Sequence, residues 1–572
     1  MFEIKDHILI RYHAPITEEE REAMRKAEEE AEAKKHVKHT AASAWDLGTE
    51  SGPTAWGMRR RDAEEKIDPD SILVEDSDPE GRFVVVPEYI TAISDNAFFE
   101  CRKIESLTLP EGLKTIGADA FHGCLNLGRV VIPESVETIG ECAFQWCSRL
   151  EEVRLPQGLT EIAPDLFHGC KKIRSMKLPE TVGKIGAGAF HWCGGLKEVN
   201  LPEGLGELEE SVFHWCSELE EIRIPESVRI IGVSAFSNCR KLKEIRIPKS
   251  VERIDFSAFY NCTGLTELEL PDTVKEVGIN AFSGCRNVRS IRFPAHIRKF
   301  SEWSFSECRS LEAVHLPAGL EEITSRAFYG CSALTDLVIP EGVHLVGDWT
   351  FYNCENLISV TLPESVTSIG ERAFSGCRRL REIRLPEGLK YLGSNAFRDC
   401  AQLRTVFLPG ELREAGIGAI SKERTVVVQR NGAPLKVVLQ GEWADDEEEK
   451  TLAAFLLQEG GSSALPKHFM ELTHPAYKIP IAVNYRLTHP VYEDYLTENT
   501  VELVHYLTDQ NDVDMVMELI RLGLITQGNI DPMISYAIES KKLSVEAELM
   551  NCKNRMAGQV DAGEIIDDLF SL

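Results

Sequence analysis

The sequence of 572 residues lacks any run of about 18 uninterrupted apolar residues, the length that a membrane-spanning helix needs. Its first fourteen residues, MFEIKDHILIRYHA, carry charged side chains such as Glu3 and Asp6 where a secretory signal needs an apolar core. Positive charge is scarce as well, because 63 Lys and Arg stand against 92 Asp and Glu, a formal net charge of −29. This excess of negative charge repels the phosphate backbones of nucleic acids and the surfaces of anionic membranes. We therefore expect a soluble, cytoplasmic protein that neither inserts into a membrane nor binds nucleic acid.

Local catalytic motifs are missing too. The sequence has no G-x-S-x-G, no G-x-x-x-x-G-K-S/T, no H-E-x-x-H and no G-x-G-x-x-G opening a helix after a strand. It also lacks the paired C-x-x-C of common zinc sites. Residues distant in sequence can still form a site. On these grounds we expect a non-enzymatic protein without cofactor or metal.

What the sequence does contain is a repeat of 23 residues. Fourteen of the sixteen cysteines follow one another at this spacing: Cys101, Cys124, Cys147, Cys170, Cys193, Cys216, Cys239, Cys262, Cys285, Cys308, Cys331, Cys354, Cys377 and Cys400. A phenylalanine stands three residues before each, from Phe98 to Phe397, and a proline keeps the same spacing from Pro87 to Pro409. The unit reads P-E-x-L/V-x-x-I-G-x-x-A-F-x-x-C-x-x-L-x-x-I/V-x-L/I.

A unit of this length cannot bury its own apolar face, so the repeats must stack into one continuous core. The last third, as in Leu219, Ile222 and Ile224, reads as a short strand that the next proline ends. The pattern predicts a repeat solenoid with a parallel sheet on one face. Stacked cysteines would hold their β-carbons about 4.8 Å apart, beyond the roughly 3.8 Å of a disulfide. We expect a buried column of reduced thiols, which favours a reducing compartment.

The unit resembles the BspA-type, or Treponema pallidum-type, leucine-rich repeat, in which L-x-x-I-x-I-P-x-x-V-x-x-I-G-x-x-A-F-x-x-C recurs. Stretches such as IPESVETIGECAFQWCSRLEEVRLP and LPESVTSIGERAFSGCRRLREIRLP match it almost throughout. The resemblance covers residues 83–424. It implies a right-handed leucine-rich-repeat superhelix from a bacterium that binds other proteins inside or outside the cell.

The rest of the chain divides into five further segments. They are a strand cap at 1–13, a helical or disordered insertion at 14–82, a hairpin cap at 425–440 around Asn431 and Gly432, a helical domain at 441–556 and an acidic tail at 557–572. The repeat itself degenerates at its last unit, where Ile420 replaces phenylalanine and Glu423 replaces cysteine.

The segment 441–556 shows helical periodicity and reads as a small all-α domain. Asp512 and Ser544 are plausible N-caps for two of its helices. DVDMVMELIRLGLIT and AIESKKLSVEAELM resemble degenerate ankyrin helix pairs, although the T-P-L-H turn signature of ankyrin repeats is absent. This resemblance again implies protein binding.

Aromatic residues between Phe and Cys form the first candidate binding surface. His168, His191 and His214 share one repeat position and should stack about 4.8 Å apart. Beside them lie Trp146, Trp192 and Trp215. With Phe and Cys inward, these rings should face solvent, where aromatic clusters mark interfaces. The alternative is that they only cover the repeat edge. A three-histidine metal site is disfavoured, because a straight column does not converge on a tetrahedral point.

The exposed strand face offers a second candidate surface. Alternation along the strands points Arg154, Arg223 and Arg246 outward, beside columns of glutamate such as Glu221 and Glu244. A solvated charge ladder is one reading of these columns. The other is a surface that a partner contacts first through its basic residues, in a complex weakened by salt.

Together these features predict a non-enzymatic scaffold that binds one or more proteins inside a bacterial cell. The alternative is a surface-exposed or secreted adhesin that binds host proteins and leaves the cell without a signal peptide. A further reading makes the C-terminal helical domain an enzyme or toxin module, but its polar residues show no triad-like grouping.

Overall fold

The computed structural model describes residues 1–13, 72–74, 80–410, 412–430, 433–441, 443–459 and 461–557. The chain forms two compact units, an N-terminal unit of residues 1–265 and a C-terminal unit of residues 266–572. Both contain the same kind of turn, and residues 83–428 make about 15 turns of a parallel-sheet solenoid. The predicted repeat solenoid is therefore confirmed. Residues 14–71 and 75–79 of the predicted insertion, the hairpin tip at Asn431 and Gly432, and the tail from residue 558 lie outside the described residues.

The N-terminal unit contains strands β1 to β17. Its cap strands are β1 (Phe2–Lys5), β2 (Ile8–Tyr12) and β3 (Ile72–Val74). The strands that end before the prolines are β4 (Phe83–Val85), β6 (Ser106–Thr108), β8 (Arg129–Val131), β10 (Glu152–Arg154), β12 (Ser175–Lys177) and β14 (Glu198–Asn200). A second set follows the prolines: β5 (Ala92–Ile93), β7 (Thr115–Ile116), β9 (Thr138–Ile139), β11 (Glu161–Ile162), β13 (Lys184–Ile185), β15 (Glu207–Leu208), β16 (Ile230–Ile231) and β17 (Arg253–Ile254).

The C-terminal unit continues with β18 to β33. Its strands before the prolines are β18 (Glu267–Glu269), β20 (Ser290–Arg292), β22 (Ala313–Val314), β24 (Asp336–Val338), β26 (Ser359–Thr361), β28 (Glu382–Arg384) and β30 (Thr405–Leu408). The second set is β19 (Glu276–Val277), β21 (Lys299–Phe300), β23 (Glu322–Ile323), β25 (Leu345–Val346), β27 (Ser368–Ile369), β29 (Tyr391–Leu392) and β31 (Glu414–Ala415). A hairpin follows, with strands β32 (Thr425–Arg430) and β33 (Ala433–Val438).

Each set of strands forms its own parallel ladder from turn to turn. In the N-terminal unit β6 pairs with β8 and β5 pairs with β7, both in parallel. The sequence predicted only the first ladder, since two-residue strands are too short to show an alternating pattern. The core lies between the ladders and is filled by the repeat phenylalanines, cysteines and aliphatic residues, nearly all of them buried.

Two buried columns connect the turns. In the N-terminal unit the phenylalanine rings from Phe98 to Phe259 stack with centroids 5.0 to 5.9 Å apart. Each cysteine thiol from Cys124 to Cys262 donates to the phenylalanine carbonyl 26 residues earlier, with Sγ···O distances of 3.0 to 3.2 Å. None of the sixteen cysteines, all of them described residues, forms a disulfide, and the fourteen repeat cysteines are buried. The predicted column of buried thiols without disulfides is therefore confirmed. Burial raises the thiol pKa, to about 12 at Cys400.

The N-terminal strands cover the first turn. β2 pairs in parallel with β5, and Tyr12 stacks on Phe98 at 5.2 Å, which starts the phenylalanine column. β1 pairs antiparallel with β2 on one side and with β3 on the other. Residues 72–74, which the sequence predicted to be helical or disordered, are therefore a strand. The outer edge of β1 has free backbone groups, which β3 satisfies.

The opposite end adds one more strand to the array beyond the predicted boundary. Thr405 of β30 lies opposite Thr425 of β32, so this last spacing is 20 residues and not 23. β32 pairs in parallel with β30 and so belongs to the array as well as to the hairpin with β33, which moves the predicted boundary at 424 outward. Trp443, 23 residues after Ile420, is fully buried. Its carbonyl accepts from Gly418 N at 2.6 Å and its N–H donates to Ile420 O at 3.0 Å. Trp443 thus covers the last turn of the array.

The C-terminal helices are α1 (Glu447–Leu456), α2 (Leu465–Glu471), α3 (Pro475–Tyr485), α4 (Pro490–Glu498), α5 (Thr500–Gln510), α6 (Val513–Arg521), α7 (Ile530–Glu539) and α8 (Leu543–Met556). α3 packs on β33. The Glu448 carboxylate accepts from Thr473 N at 2.7 Å and His474 N at 2.9 Å, at the start of α3. α5 packs on α7 and α6 packs on α8, so two helix pairs stack as layers.

The position of Trp443 generates the first prediction. Trp443→Ala should destabilise the C-terminal unit by about 3 to 5 kcal/mol, because it leaves a cavity under the last turn. Urea unfolding followed by circular dichroism measures the loss. Leu487→Ala, a change at a side chain that is 82% exposed in the same unit, is the control and should leave the midpoint in place. Equal midpoints for the two variants would show that Trp443 is not part of the cap.

Candidate functional site

The predicted aromatic residues lie on the turn that follows each buried phenylalanine. We call them, with two neighbouring cations, the aromatic edge: Trp146, His168, Lys171, His191, Trp192, His214, Trp215 and Arg240. Trp146, Trp192 and Trp215 have left-handed backbones, with φ of 59°, 61° and 60°. The same position is Gly123, Gly169 or Asn238 in other turns, residues that adopt this conformation at low cost. A tryptophan there costs about 1 kcal/mol or more.

The tryptophans contact one another across turns. The ring centroids of Trp192 and Trp215 are 5.6 Å apart. Trp146 reaches Trp192, two turns away, at 6.3 Å, because Gly169 stands between them. A β-carbon on Gly169 would collide with the indole of Trp146. The glycine therefore provides the space that brings the tryptophans together.

Cations lie over these rings. Lys171 Nζ is 5.7 Å from the ring of Trp146 and 5.6 Å from that of Trp192, so one ammonium group bridges two indoles. The guanidinium of Arg240 lies 4.9 Å from Trp215. Cation–π contacts of this kind contribute about 0.5 to 1 kcal/mol each at exposed sites. They offset part of the backbone cost and hold the rings in place.

The histidine column is less exposed than predicted. His168 and His191 stack at 4.4 Å, and His191 and His214 at 4.7 Å. Each histidine ring covers a face of the next, so all three histidines are half-buried. Among the three histidines and three tryptophans of the aromatic edge, only Trp192 is exposed, at 37%. The expectation that all these rings face solvent is therefore wrong, because it ignored stacking between turns.

Burial changes the protonation of this column. The pKa of His191 falls to about 3, first because burial disfavours the charged ring and then because His168 and His214 repel a further positive charge. The pKa of His214 falls to about 4 through burial and the neighbouring His168. His168 has polar partners instead, since its Nδ1 lies 3.0 Å from Asp165 Oδ1 and 3.0 Å from Gln145 Nε2. His191 and His214 are thus neutral at pH 7.

The second predicted surface, the strand face, is exposed as expected. The side chains of Arg223 and Arg246 are 81% and 85% exposed, and the two residues form a parallel bridge. Their carboxylate partners are Glu203 at 2.9 Å and Glu226 at 3.6 Å, which lie in the turns and not in the neighbouring strand column that the sequence suggested. Arg154 is also exposed. The pairs are solvated and contribute little to stability.

An open groove runs along this strand face within the N-terminal unit. Its lining residues are Arg174, Ser175, Lys197, Glu198, Glu220, Glu221, Lys243 and Glu244. Residues of both signs alternate along it, so neither sign dominates. The groove therefore favours no ligand of a single charge.

A third surface was missed by the sequence reasoning. In the C-terminal unit Trp303, Arg326, Trp349 and Arg372 share one repeat position, two residues before Phe, and all have positive φ. Arg326 lies between the two indoles, at 4.9 Å from Trp303 and 5.7 Å from Trp349, and Arg372 lies 4.5 Å from Trp349. We call this the Trp–Arg ladder. Its signal was the alternation of Trp and Arg every 23 residues.

The fold and its turns define a class of protein, the leucine-rich-repeat solenoids, whose members typically mediate protein–protein interaction. The sequence matches the family described as "BspA type Leucine rich repeat region", in overlapping stretches at 81–193, 137–266, 183–312, 229–357 and 321–426. The chain belongs to this family, as the sequence predicted.

One solved structure supports this assignment, and two others are similar to parts of the chain. A leucine-rich repeat protein from Bacteroides ovatus is 30% identical, with a TM-score of 0.55, over 61% of this chain and 92% of that one. The T. pallidum leucine-rich repeat protein is 31% identical over 28% of this chain and 78% of that one, with a TM-score of 0.27. A leucine-rich cell surface protein from Faecalibacterium prausnitzii is 23% identical over 61% and 87%, with a TM-score of 0.34. No curated protein matches. Among the described residues, no helix has both the length and the apolar character for crossing a membrane.

The lowered pKa of His191 generates the second prediction. The folded chain keeps this ring neutral, whereas the unfolded chain protonates it near its usual pKa of about 6.5. Stability is therefore unaffected above pH 6.5 and falls as the pH drops from there towards 3, by about 1 kcal/mol between pH 7.5 and pH 5.8. His191→Gln, the residue that position 145 already carries in the same column, should lose less over this interval. Urea midpoints at both pH values test this, and equal losses would contradict it.

Proposed function

We propose that this chain is a non-enzymatic scaffold of a bacterial cell, and that it binds another protein through the aromatic edge. The observation that supports this most directly is the left-handed backbone of Trp146, Trp192 and Trp215. Other turns carry glycine, asparagine, aspartate or glutamate at this position, all with positive φ. Tryptophan costs more backbone free energy there than the glycine or asparagine of most of these turns. Local strain of this kind is typical of functional positions.

The chemistry of the aromatic edge suits a protein partner. Tryptophan and arginine are the residues that most often dominate binding energy, and they do so where neighbouring side chains exclude water. Trp192 is exposed, while Trp146 and Trp215 flank it and are half-buried. Lys171 and Arg240 add positive charge on a chain with a net charge of −29. An apolar or acidic segment of a partner fits such a surface better than a basic one.

The third prediction tests the aromatic edge. The chain, immobilised and exposed to a lysate of its source cells, should retain a specific partner, and Trp192→Ala with Trp215→Ala should weaken that complex by roughly 30-fold or more. Trp303→Ala with Trp349→Ala removes two tryptophans from equally left-handed positions in the Trp–Arg ladder. This control pair should bind like the unaltered chain.

The strand face is the competing surface, and it has its own variant. Arg223→Ala with Arg246→Ala removes two highly exposed cations without touching the aromatic edge. If this pair lost the partner and the tryptophan pair kept it, the strand face would be the binding surface and our proposal would be wrong. Circular dichroism and thermal unfolding show whether each variant is folded.

We also propose that the protein works in the cytoplasm. None of the sixteen cysteines forms a disulfide, and so many thiols outside disulfides are typical of reducing compartments. The fourth prediction is that fractionation of the source cells, followed by immunoblotting, finds the chain in the cytosolic fraction. Recovery from the medium, or loss of the signal when intact cells are treated with protease, would favour the surface or secreted adhesin instead.

A further inference from the structure

Three metal-ligating side chains from two adjacent turns lie together in the N-terminal unit. Asp165 and His168 belong to one turn and His191 to the next, and one ligand atom of each lies within 4.8 Å of the other two. Asp165 Oδ1 and His168 Nδ1 are 3.0 Å apart. The rings of His168 and His191 are tilted by 29° at a centroid distance of 4.4 Å. The described residues contain no other such group of three.

Asp165 removes the geometric objection to a metal site in this column. Three stacked histidines present their nitrogens along a line, which no single ion can reach. Asp165 stands at a different repeat position, three residues before His168, and its carboxylate approaches the column from the side. Gly188, at the position of Asp165 in the next turn, leaves room for it, since a β-carbon there would collide with Asp165 Oδ1. The donors therefore form a triangle and not a line.

The donor set matches known metal chemistry. Two imidazole nitrogens and a carboxylate oxygen are common zinc ligands, at about 2.0 to 2.2 Å from the ion. A tetrahedral ion holds its donors about 3.4 Å apart. The Asp165–His168 pair is already closer than this. Since its ligand atom lies within 4.8 Å of the other two, His191 has to approach by at most about 1.4 Å to reach the same spacing.

His191 is prepared to act as a ligand. Its Nε2 is buried and has no hydrogen-bond partner among the described residues. A buried nitrogen without a partner costs about 1 to 3 kcal/mol. Solvent reaches the group through Asp165, whose side chain is 38% exposed, so an ion has a path of entry.

We propose that Asp165, His168 and His191 bind one divalent transition-metal ion of the zinc type, with water completing the coordination. The neighbouring turns supply a natural comparison. Asp119 and His122 repeat the carboxylate–imidazole pair at 2.9 Å, but Gln145 stands where the second histidine would be. Only the Asp165 group has a histidine in both turns.

The fifth prediction is tested by titrating the full chain with Zn²⁺ in a calorimeter, and with Co²⁺, whose visible absorption reports tetrahedral coordination. We expect one ion per chain. His191→Gln and Asp165→Asn should each weaken binding at least tenfold, since even the loss of an outer-shell partner costs 10- to 100-fold. His122→Gln, the matched control, should leave binding unchanged.

Three results would overturn the proposal: no binding of Zn²⁺ by the unaltered chain, unchanged binding by both His191→Gln and Asp165→Asn, or an equal loss with His122→Gln. Asp165 is partly exposed, so its variant keeps the test valid even if His191→Gln disturbs the fold. The measurement uses the chain without a partner. A failure here is therefore distinct from a failure of the proposed protein binding.

Discussion

The structure depends on two buried contacts that require a spacing of 23 residues. Twelve repeat cysteines donate their thiol to the phenylalanine carbonyl 26 residues earlier. Within each unit the phenylalanine rings stack from turn to turn, at 5.4 to 5.7 Å in the C-terminal unit. A turn that gained or lost one residue would separate the thiol from its acceptor and shift the ring out of the stack. The two residues between Phe and Cys take no part in either contact. They differ from turn to turn, and the histidines and tryptophans of the aromatic edge occupy them.

The same contacts explain how much the sequence could predict. A strict spacing of Phe and Cys is visible without any structure, so the solenoid and the free thiols follow from it directly. Contacts between side chains of different turns are harder to predict from the sequence, because they depend on the size of the side chain at the same position in the turn between them. Trp146 meets Trp192 only because Gly169 leaves space, and Asp165 meets His191 only because Gly188 does. A comparison of residues two repeats apart in the sequence would have suggested the contact between Trp146 and Trp192.

The ends of the array follow different rules from its centre. A cap has to cover exposed strand edges and apolar faces, and many different sequences can do this, so no single sequence pattern identifies a cap. The strand at 72–74 therefore left no recognisable pattern. Among the helices, Asp512 caps α6 by accepting from Met515 N at 3.1 Å, as its sequence context indicates. Ser544, equally plausible from sequence, lies inside α8, which Lys542 precedes as N-cap. Local signals predict that helices exist better than where they begin.

The two buried columns have a consequence for how such a protein evolves. Phenylalanine and cysteine recur every 23 residues through the regular turns, and Trp443 covers the last turn. A duplication or deletion of whole 23-codon units leaves this spacing intact. An insertion of any other length inside the array breaks it. Recombination between repeats can thus lengthen or shorten the gene in fixed steps and yield folded products each time.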